Sequence, residues 1–172
     1  MSISEIKRKA RSVLKGKWGV AVQLTLLIYL INTLLPYFVE VFLSGGFSNW
    51  WYQEEAPIAS DIFNLILALA IIPLTISSYW FFLSLARNES VSVGKVFSIY
   101  KDGATSFKLI GASFLMGLFV FLWSLLLVIP GIIKSLSYSQ TFFILKDHPE
   151  YSVFEAITES KKRMKGYKWK YF

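Results

Sequence analysis

The chain has 172 residues, of which 55% are hydrophobic and 17% aromatic, and its mean hydropathy is +0.51. This composition leaves too few polar side chains to cover a soluble globule of this length, which indicates a membrane protein with lipid as its main solvent. The absence of cysteine and the presence of one histidine, His148, exclude disulfides, thiolate chemistry and zinc sites built from Cys or several His. The net charge of +7 is unevenly distributed along the chain.

The first element is a basic segment, residues 1–18, in which apolar residues recur at spacings of three and four. This pattern predicts an amphipathic helix that lies at a membrane interface, with Trp18 as an interfacial anchor at its end. The basic side chains are candidates for contact with anionic lipid. Those candidates are Lys7, Arg8, Lys9 and Arg11. The alternative interpretation, which is favoured, is that these side chains only fix the orientation of the chain in the membrane.

Three apolar stretches follow, at residues 20–43, 62–86 and 109–129, and each is long enough to cross a bilayer as a helix. The second contains twenty-five consecutive residues without a charged side chain. The first carries a polar stripe that includes Thr25, Asn32 and Glu40, and such a stripe indicates either a helix interface or the lining of a solute path. The interface is the favoured interpretation.

The connections between these stretches differ in charge. Residues 44–61 contain three acidic residues and no basic one, whereas residues 87–108 contain four basic residues against two acidic ones. Because loops rich in Lys and Arg stay on the cytoplasmic side, the N-terminus and residues 87–108 are predicted inside, and the aromatic, acidic loop outside.

The segment at residues 131–145 is ambiguous. It is short and contains Lys134 and five hydroxyl side chains, so hydropathy alone predicts a re-entrant or interfacial segment. The basic tail after it favours a fourth, short crossing, since three crossings would place that tail outside. In this arrangement Pro130 and Gly131 form a tight turn, and Lys134 reaches the outer headgroups.

The tail at residues 152–168 is predicted to be a second basic amphipathic helix, which begins at a capping box formed by Ser152 and Glu155. It resembles the N-terminal segment, because Leu14-Lys15-Gly16 recurs as Met164-Lys165-Gly166, and Trp169 is a second interfacial anchor. Interleaved apolar residues make phospholipid phosphates a better partner for its basic side chains than nucleic acid. These candidate lipid contacts are Lys161, Lys162, Arg163 and Lys165.

Two charges inside predicted membrane spans are candidates for an ion pair. Glu40 lies three residues before the outer end of the first span, and Lys134 lies three residues after the start of the fourth. Both are therefore expected about 5 Å below the outer boundary of the hydrocarbon. They either pair with each other, if their spans are neighbours, or reach the headgroups separately.

Three stretches carry a resemblance to a known family: SEIKRKARSVLKGKWG, LWSLLLVIPGIIKSLSYSQTFFIL and EAITESKKRMKGYKWK. With them the chain resembles, over almost its whole length, the bacterial integral membrane proteins grouped as domain-of-unknown-function family 975. The resemblance implies a polytopic α-helical protein of the inner membrane, without established catalytic residues. Members usually continue through a further hairpin after the equivalent of Trp169, so the chain is expected to lack that hairpin.

The sequence therefore predicts an all-α polytopic membrane bundle with four spans, both termini in the cytoplasm and interfacial amphipathic helices. No phosphate loop, nucleophile elbow or paired-histidine motif occurs, and a catalytic role is not expected. We expect no cofactor and no metal. The favoured role is an accessory or interaction protein of the bacterial cell membrane that engages lipid, a partner membrane protein or a second copy. The alternative is a small transporter or channel component that acts as an oligomer.

Overall fold

The computed structural model describes residues 3–126 and 128–168, and it describes side chains in residues 3–125 and 129–168. It divides the chain into two compact units, residues 1–98 and residues 99–172. All regular elements among the described residues are helical, which agrees with the predicted all-α class.

The described part of the first unit contains six α-helices, and the segments predicted to be helical are helices whose ends differ from the prediction. The N-terminal amphipathic helix is α1 (Ile3–Leu14), and the first apolar stretch comprises α2 (Trp18–Tyr29), a π-helical turn (Leu30–Leu34) and α3 (Leu35–Leu43). A short aromatic helix, α4 (Phe47–Tyr52), lies in the acidic loop. The second stretch is α5 (Ile58–Ala86), and α6 (Val93–Phe97) follows it.

The π-helical turn lies directly before Pro36. Proline has no N–H to donate to the carbonyl four residues earlier, and its ring crowds that carbonyl, so a normal α-helical turn is not available there. The backbone widens instead, and the Leu35 N–H donates to the carbonyl of Leu30, five residues back. The first apolar stretch is therefore interrupted by a π turn.

The core of the first unit lies where α2, α5 and α6 meet. Leu24, Leu74, Phe81 and Val96 are all buried there, and each of the three helices contributes at least one of them. The short helix α6 is thus held against the two long helices by its apolar face. The charged and polar residues of the preceding loop remain at the surface.

The second unit is a helical hairpin with a further helix packed on it. After a 3-10 turn at Ser98–Lys101 come α7 (Gly103–Leu126), α8 (Val128–Tyr138), α9 (Thr141–Asp147) and α10 (Val153–Arg163). The returning arm of the hairpin is antiparallel to α7, since the ring of Tyr138 lies 6.2 Å from that of Phe119, and Lys108 Nζ donates to the carbonyl of Pro149 at 2.6 Å.

The turn between α7 and α8 differs from the sequence prediction. Pro130 and Gly131 do not form a turn, because α8 already begins at Val128 and both residues lie in its first turns, where proline is tolerated. Gly131 instead permits a close helix crossing: a Cβ atom at this position would lie 2.1 Å from Ser124 Oγ and 3.1 Å from Ser124 Cα. Gly117, by contrast, permits no such close approach among the described residues, since nothing lies within 4 Å of its Cβ position.

Among the described residues, three helical stretches are long and apolar enough to cross a membrane: Trp18–Leu43, Ile58–Ala86 and Gly103–Leu125. They correspond to the three predicted spans at residues 20–43, 62–86 and 109–129. The predicted fourth span at residues 131–145 consists of two shorter helices, α8 and α9, with a break at Ser139 and Gln140. Whether this segment crosses a membrane stays a prediction.

Candidate functional site

The two basic amphipathic helices use their apolar faces differently. In α1, Ile3 and Ile6 are exposed, and no residue of the helix is buried. In α10, by contrast, Ala156, Ile157 and Ser160 are buried, as is Met164 just after it. An uncovered apolar face beneath basic side chains is typical of a helix that lies at an interface, so only α1 keeps this feature within its unit.

Hydrogen bonds attach α10 to the break between α8 and α9. The Ser160 hydroxyl, which is fully buried, donates to the carbonyl of Ser137 at 2.8 Å and accepts from the N–H of Gln140 at 3.2 Å. These backbone groups lie where the helix is interrupted, and a side chain from another helix supplies a hydrogen-bond partner for each of them. The hydrogen bonds therefore fix the position of α10 along the hairpin axis, while apolar packing holds it on the surface of the hairpin.

The predicted capping box at the start of α10 is confirmed. Ser152 N–H donates to Glu155 Oε2 at 2.7 Å, and Glu155 N–H donates to Ser152 Oγ at 3.3 Å. The hydrogen bonds from Ser152 hold the pKa of the Glu155 carboxyl below its usual value. A similar cap begins α7, where the Thr105 hydroxyl and N–H donate to Asp102 and lower the pKa of its carboxyl.

The predicted lipid contacts of α10 lie on its exposed side. Lys161, Lys162, Arg163 and Lys165 are all exposed. Lys162 and Arg163 share the carboxylate of Glu159, at 3.9 Å and 3.0 Å. The predicted contacts of α1, which are Lys7, Arg8, Lys9 and Arg11, are exposed as well.

The end of α10 carries the same turn as the end of α1. Gly16 and Gly166 both have left-handed φ angles, +79° and +83°. In each turn two backbone N–H groups donate to carbonyls three residues earlier: Lys15 to Ser12 and Lys17 to Leu14 in α1, Lys165 to Lys162 and Tyr167 to Met164 after α10. The sequence repeat is therefore a structural repeat. Trp18 begins α2 and is 54% exposed, while Trp169 lies outside the described residues.

Lys134 lies in an aromatic and cationic environment that the sequence did not predict. Its ammonium group is 4.1 Å from the centre of the Trp123 ring. Tyr138 lies one turn along α8 from Lys134, and Lys161 Nζ of α10 is 5.6 Å from the centre of the Tyr138 ring. Spacing on α8 predicts that Lys134 and Tyr138 share a face, but not that α10 would reach them.

Glu40 is bound within the first unit. Its Oε1 atom accepts from Trp50 Nε1 at 3.0 Å and from Gln53 Nε2 at 3.4 Å, which connects the end of α3 to the aromatic helix α4. Because Glu40 and Lys134 belong to different units, their predicted ion pair stays a prediction.

The polar stripe of the first span is satisfied by its own helix at two positions. Thr25 Oγ1 donates to the carbonyl of Ala21 at 2.9 Å, and Asn32 Nδ2 donates to the carbonyl of Ile28 at 3.0 Å. These hydrogen bonds lower the cost of placing the side chains in an apolar environment. Neither bond requires a second helix or a bound solute.

His148 lies in the loop between α9 and α10. Its ring stacks on Tyr151 with centroids 4.7 Å apart, and its Nδ1 atom lies 3.0 Å from Glu150 Oε1. Across residues 3–126 and 128–168, no group of three or more His, Asp or Glu side chains is arranged to hold a metal ion.

Comparison with known proteins gives one family match. A family described as a protein of unknown function (DUF975) matches residues 1–134 and 124–172, which together cover the chain. No curated protein and no solved structure matches.

Proposed function

The chain belongs to the DUF975 family, whose function is unknown, and from that premise we propose that it is a non-catalytic integral protein of the bacterial cell membrane. In this proposal both termini lie in the cytoplasm, and the protein engages anionic lipid through its two basic helices. The observation that supports it most is the pairing of exposed basic surfaces, on α1 and α10, with helices long and apolar enough to cross a membrane.

The two helices would act in different ways. The uncovered apolar face of α1 lets it lie in the interface, with its basic side chains at the level of the phosphates. The helix α10 packs Ala156 and Ile157 on the hairpin and presents its charges together with the exposed side chain of Phe154. Each Lys or Arg near an anionic leaflet contributes about 1 kcal/mol, so either helix carries enough charge for a selective lipid shell.

The position of α10 bears on the topology of the hairpin. Lys161 lies beside Tyr138, and Tyr138 lies beside Phe119 of α7, so the three residues have a similar position along the hairpin axis. The end of α7 at Leu126 is seven positions after Phe119. About 10 Å of the hairpin therefore extends beyond the charged end of α10, against a hydrocarbon core of about 30 Å. Residues 125–130, with the sequence LLLVIP, contain no polar side chain that would suit a turn in the headgroup region.

These distances favour the re-entrant alternative over a fourth crossing. In that arrangement α2–α3 and α5 cross the membrane, and the α7–α8 hairpin enters from the cytoplasmic side and returns to it. Both topologies keep the tail inside, so the charge distribution is compatible with each. In whole cells, a cysteine introduced by Ile129→Cys should resist an impermeant maleimide, whereas Asn49→Cys should react. Labelling at both positions would instead support four crossings.

The lipid role is tested by the composition of the lipid that the protein retains. The full chain is placed in bilayers of phosphatidylglycerol and phosphatidylcholine, extracted in mild detergent, and its bound lipid is quantified. We expect enrichment of phosphatidylglycerol over the bulk bilayer, and less enrichment at higher salt, because salt screens exposed charges. Retained lipid with the bulk composition at every salt concentration would contradict the proposal.

The alternative of a small oligomeric transporter or channel component is supported by the polar stripe of the first span and has its own test. Solute flux into proteoliposomes that is abolished by Glu40→Gln or Asn32→Leu would favour transport. Unchanged leak together with a reproducible co-purifying membrane protein, or a second copy of this chain, would favour the accessory role.

A further inference from the structure

The strongest unassigned feature is a group of lysines where α10 meets the hairpin. Lys134 on α8 lies 4.1 Å from the centre of the Trp123 ring, and Lys161 on α10 lies 5.6 Å from the centre of the Tyr138 ring, which is one turn along α8 from Lys134. Across residues 3–126 and 128–168, no carboxylate forms an ion pair with either lysine. Like charges held together without a counter-charge repel one another, so an anion at this position would stabilise the fold.

The aromatic rings of the hairpin hold these two cations in place. Lys134 lies on the face of Trp123 and Lys161 near the face of Tyr138, and the Tyr138 side chain is almost fully buried. Cation–π contacts orient an ammonium group without neutralising its charge. Both lysines therefore remain able to bind an anion, and little side-chain freedom is lost when they do so.

The surroundings of the group indicate which anion it would take. The Trp123 ring beside Lys134 is 37% exposed, and Phe121, Leu125 and Ile129 on other faces of the same hairpin are 59%, 68% and 69% exposed, so the lysines lie next to apolar surface. A ligand with a phosphate at one end and hydrocarbon chains at the other matches a cationic group next to exposed apolar side chains.

We propose that Lys134 and Lys161 bind the phosphate of one anionic phospholipid, whose acyl chains lie against the exposed apolar residues of the α7–α8 hairpin. This inference rests on the proposed lipid-engaging function and makes it specific, because it assigns one retained lipid to one site. Lys134 then reaches the headgroups on the side of the membrane that α10 faces, rather than the opposite side.

The test measures the affinity of the purified full chain for phosphatidylglycerol by native mass spectrometry. We expect Lys161→Gln to weaken the tightest binding event about fivefold, and Lys134→Gln with Lys161→Gln to weaken it about 25-fold, at about fivefold per lysine. Lys161 is exposed, so its single substitution keeps the test valid if the double variant folds poorly. The matched control, Lys95→Gln with Lys101→Gln, removes two exposed charges that lie outside both basic helices and should change this affinity by less than about twofold.

The outcomes separate this site from the general proposal. If the control weakens binding as much as the double substitution at Lys134 and Lys161, the attraction depends on net charge alone and the specific site is refuted, while the lipid-engaging function stands. If the unsubstituted chain does not prefer phosphatidylglycerol, both fail. Displacement of the lipid by inorganic phosphate would show that the lysines bind a free anion, and would overturn the assignment to a phospholipid.

Discussion

The attachment of α10 to the hairpin predicts a measurable effect of Ser160→Ala. This substitution removes two hydrogen bonds at once, from the Ser160 hydroxyl to the carbonyl of Ser137 and from the N–H of Gln140 to the hydroxyl, and it does so at a fully buried position. A buried acceptor that loses its donor costs about 1–3 kcal/mol. We therefore expect a loss of about 2 kcal/mol in the free energy that holds α10 on α8 and α9.

Amide hydrogen exchange of the detergent-solubilised protein measures this loss locally. About 2 kcal/mol corresponds to exchange about 30-fold faster in α10 if the helix detaches as a unit, with little change in α2 or α5. Ser139→Ala is the matched control, because the Ser139 hydroxyl donates to the carbonyl of Leu136 within its own turn and connects no second helix. Equal exchange rates for α10 in the Ser160 and Ser139 variants would refute the role assigned to Ser160.

Three further predictions concern the crossing, the caps and the aromatic loop. Gly131→Ala should destabilise the hairpin by about 1–3 kcal/mol in thermal unfolding, since its Cβ would overlap Ser124, whereas Gly117→Ala, which faces open space, should cost little. Asp102 and Glu155 have lowered pKa values in the folded state, so the stability that they contribute is complete above their usual values near 4 and is lost as pH falls through the lowered ones. The free energy of unfolding should therefore fall between pH 7 and pH 3, and it should fall less in Glu155→Gln. An equal fall in this variant would contradict the stabilising role of the ionised Glu155 carboxylate. Glu40→Leu removes the acceptor of Trp50 and should shift the tryptophan emission of the loop, whereas Glu40→Gln should shift it less; equal spectra would contradict the contact.

The sequence predicted the helices well because their signals are local. Apolar length identified the three long stretches, and the Ser152 and Glu155 pattern identified the start of α10, since both depend on neighbouring residues alone. It did not identify what covers the apolar face of α10, because an amphipathic pattern is the same whether the partner is lipid or another helix.

The sequence was also a poor guide to Gly131. A Pro-Gly pair is typical of turns, and only the distance to Ser124 shows that the glycine permits a helix crossing instead. The sequence likewise located Lys134 only by its position along its own predicted span, because spacing within one helix does not show which residues of another helix lie nearby. Lys161 is twenty-seven residues away in sequence, and only the packing of α10 brings it to Tyr138, one turn along α8 from Lys134.

The central claim, that both basic surfaces lie on the cytoplasmic side of a membrane, is tested most directly by cysteine labelling in this cysteine-free chain. Single substitutions Asn49→Cys, Ser98→Cys and Thr158→Cys place a thiol at exposed positions in the acidic loop, after α6 and on α10. An impermeant maleimide should label only the variant at Asn49 in intact cells, and all three after permeabilisation. Labelling at Ser98 or Thr158 but not at Asn49 in intact cells would contradict the account.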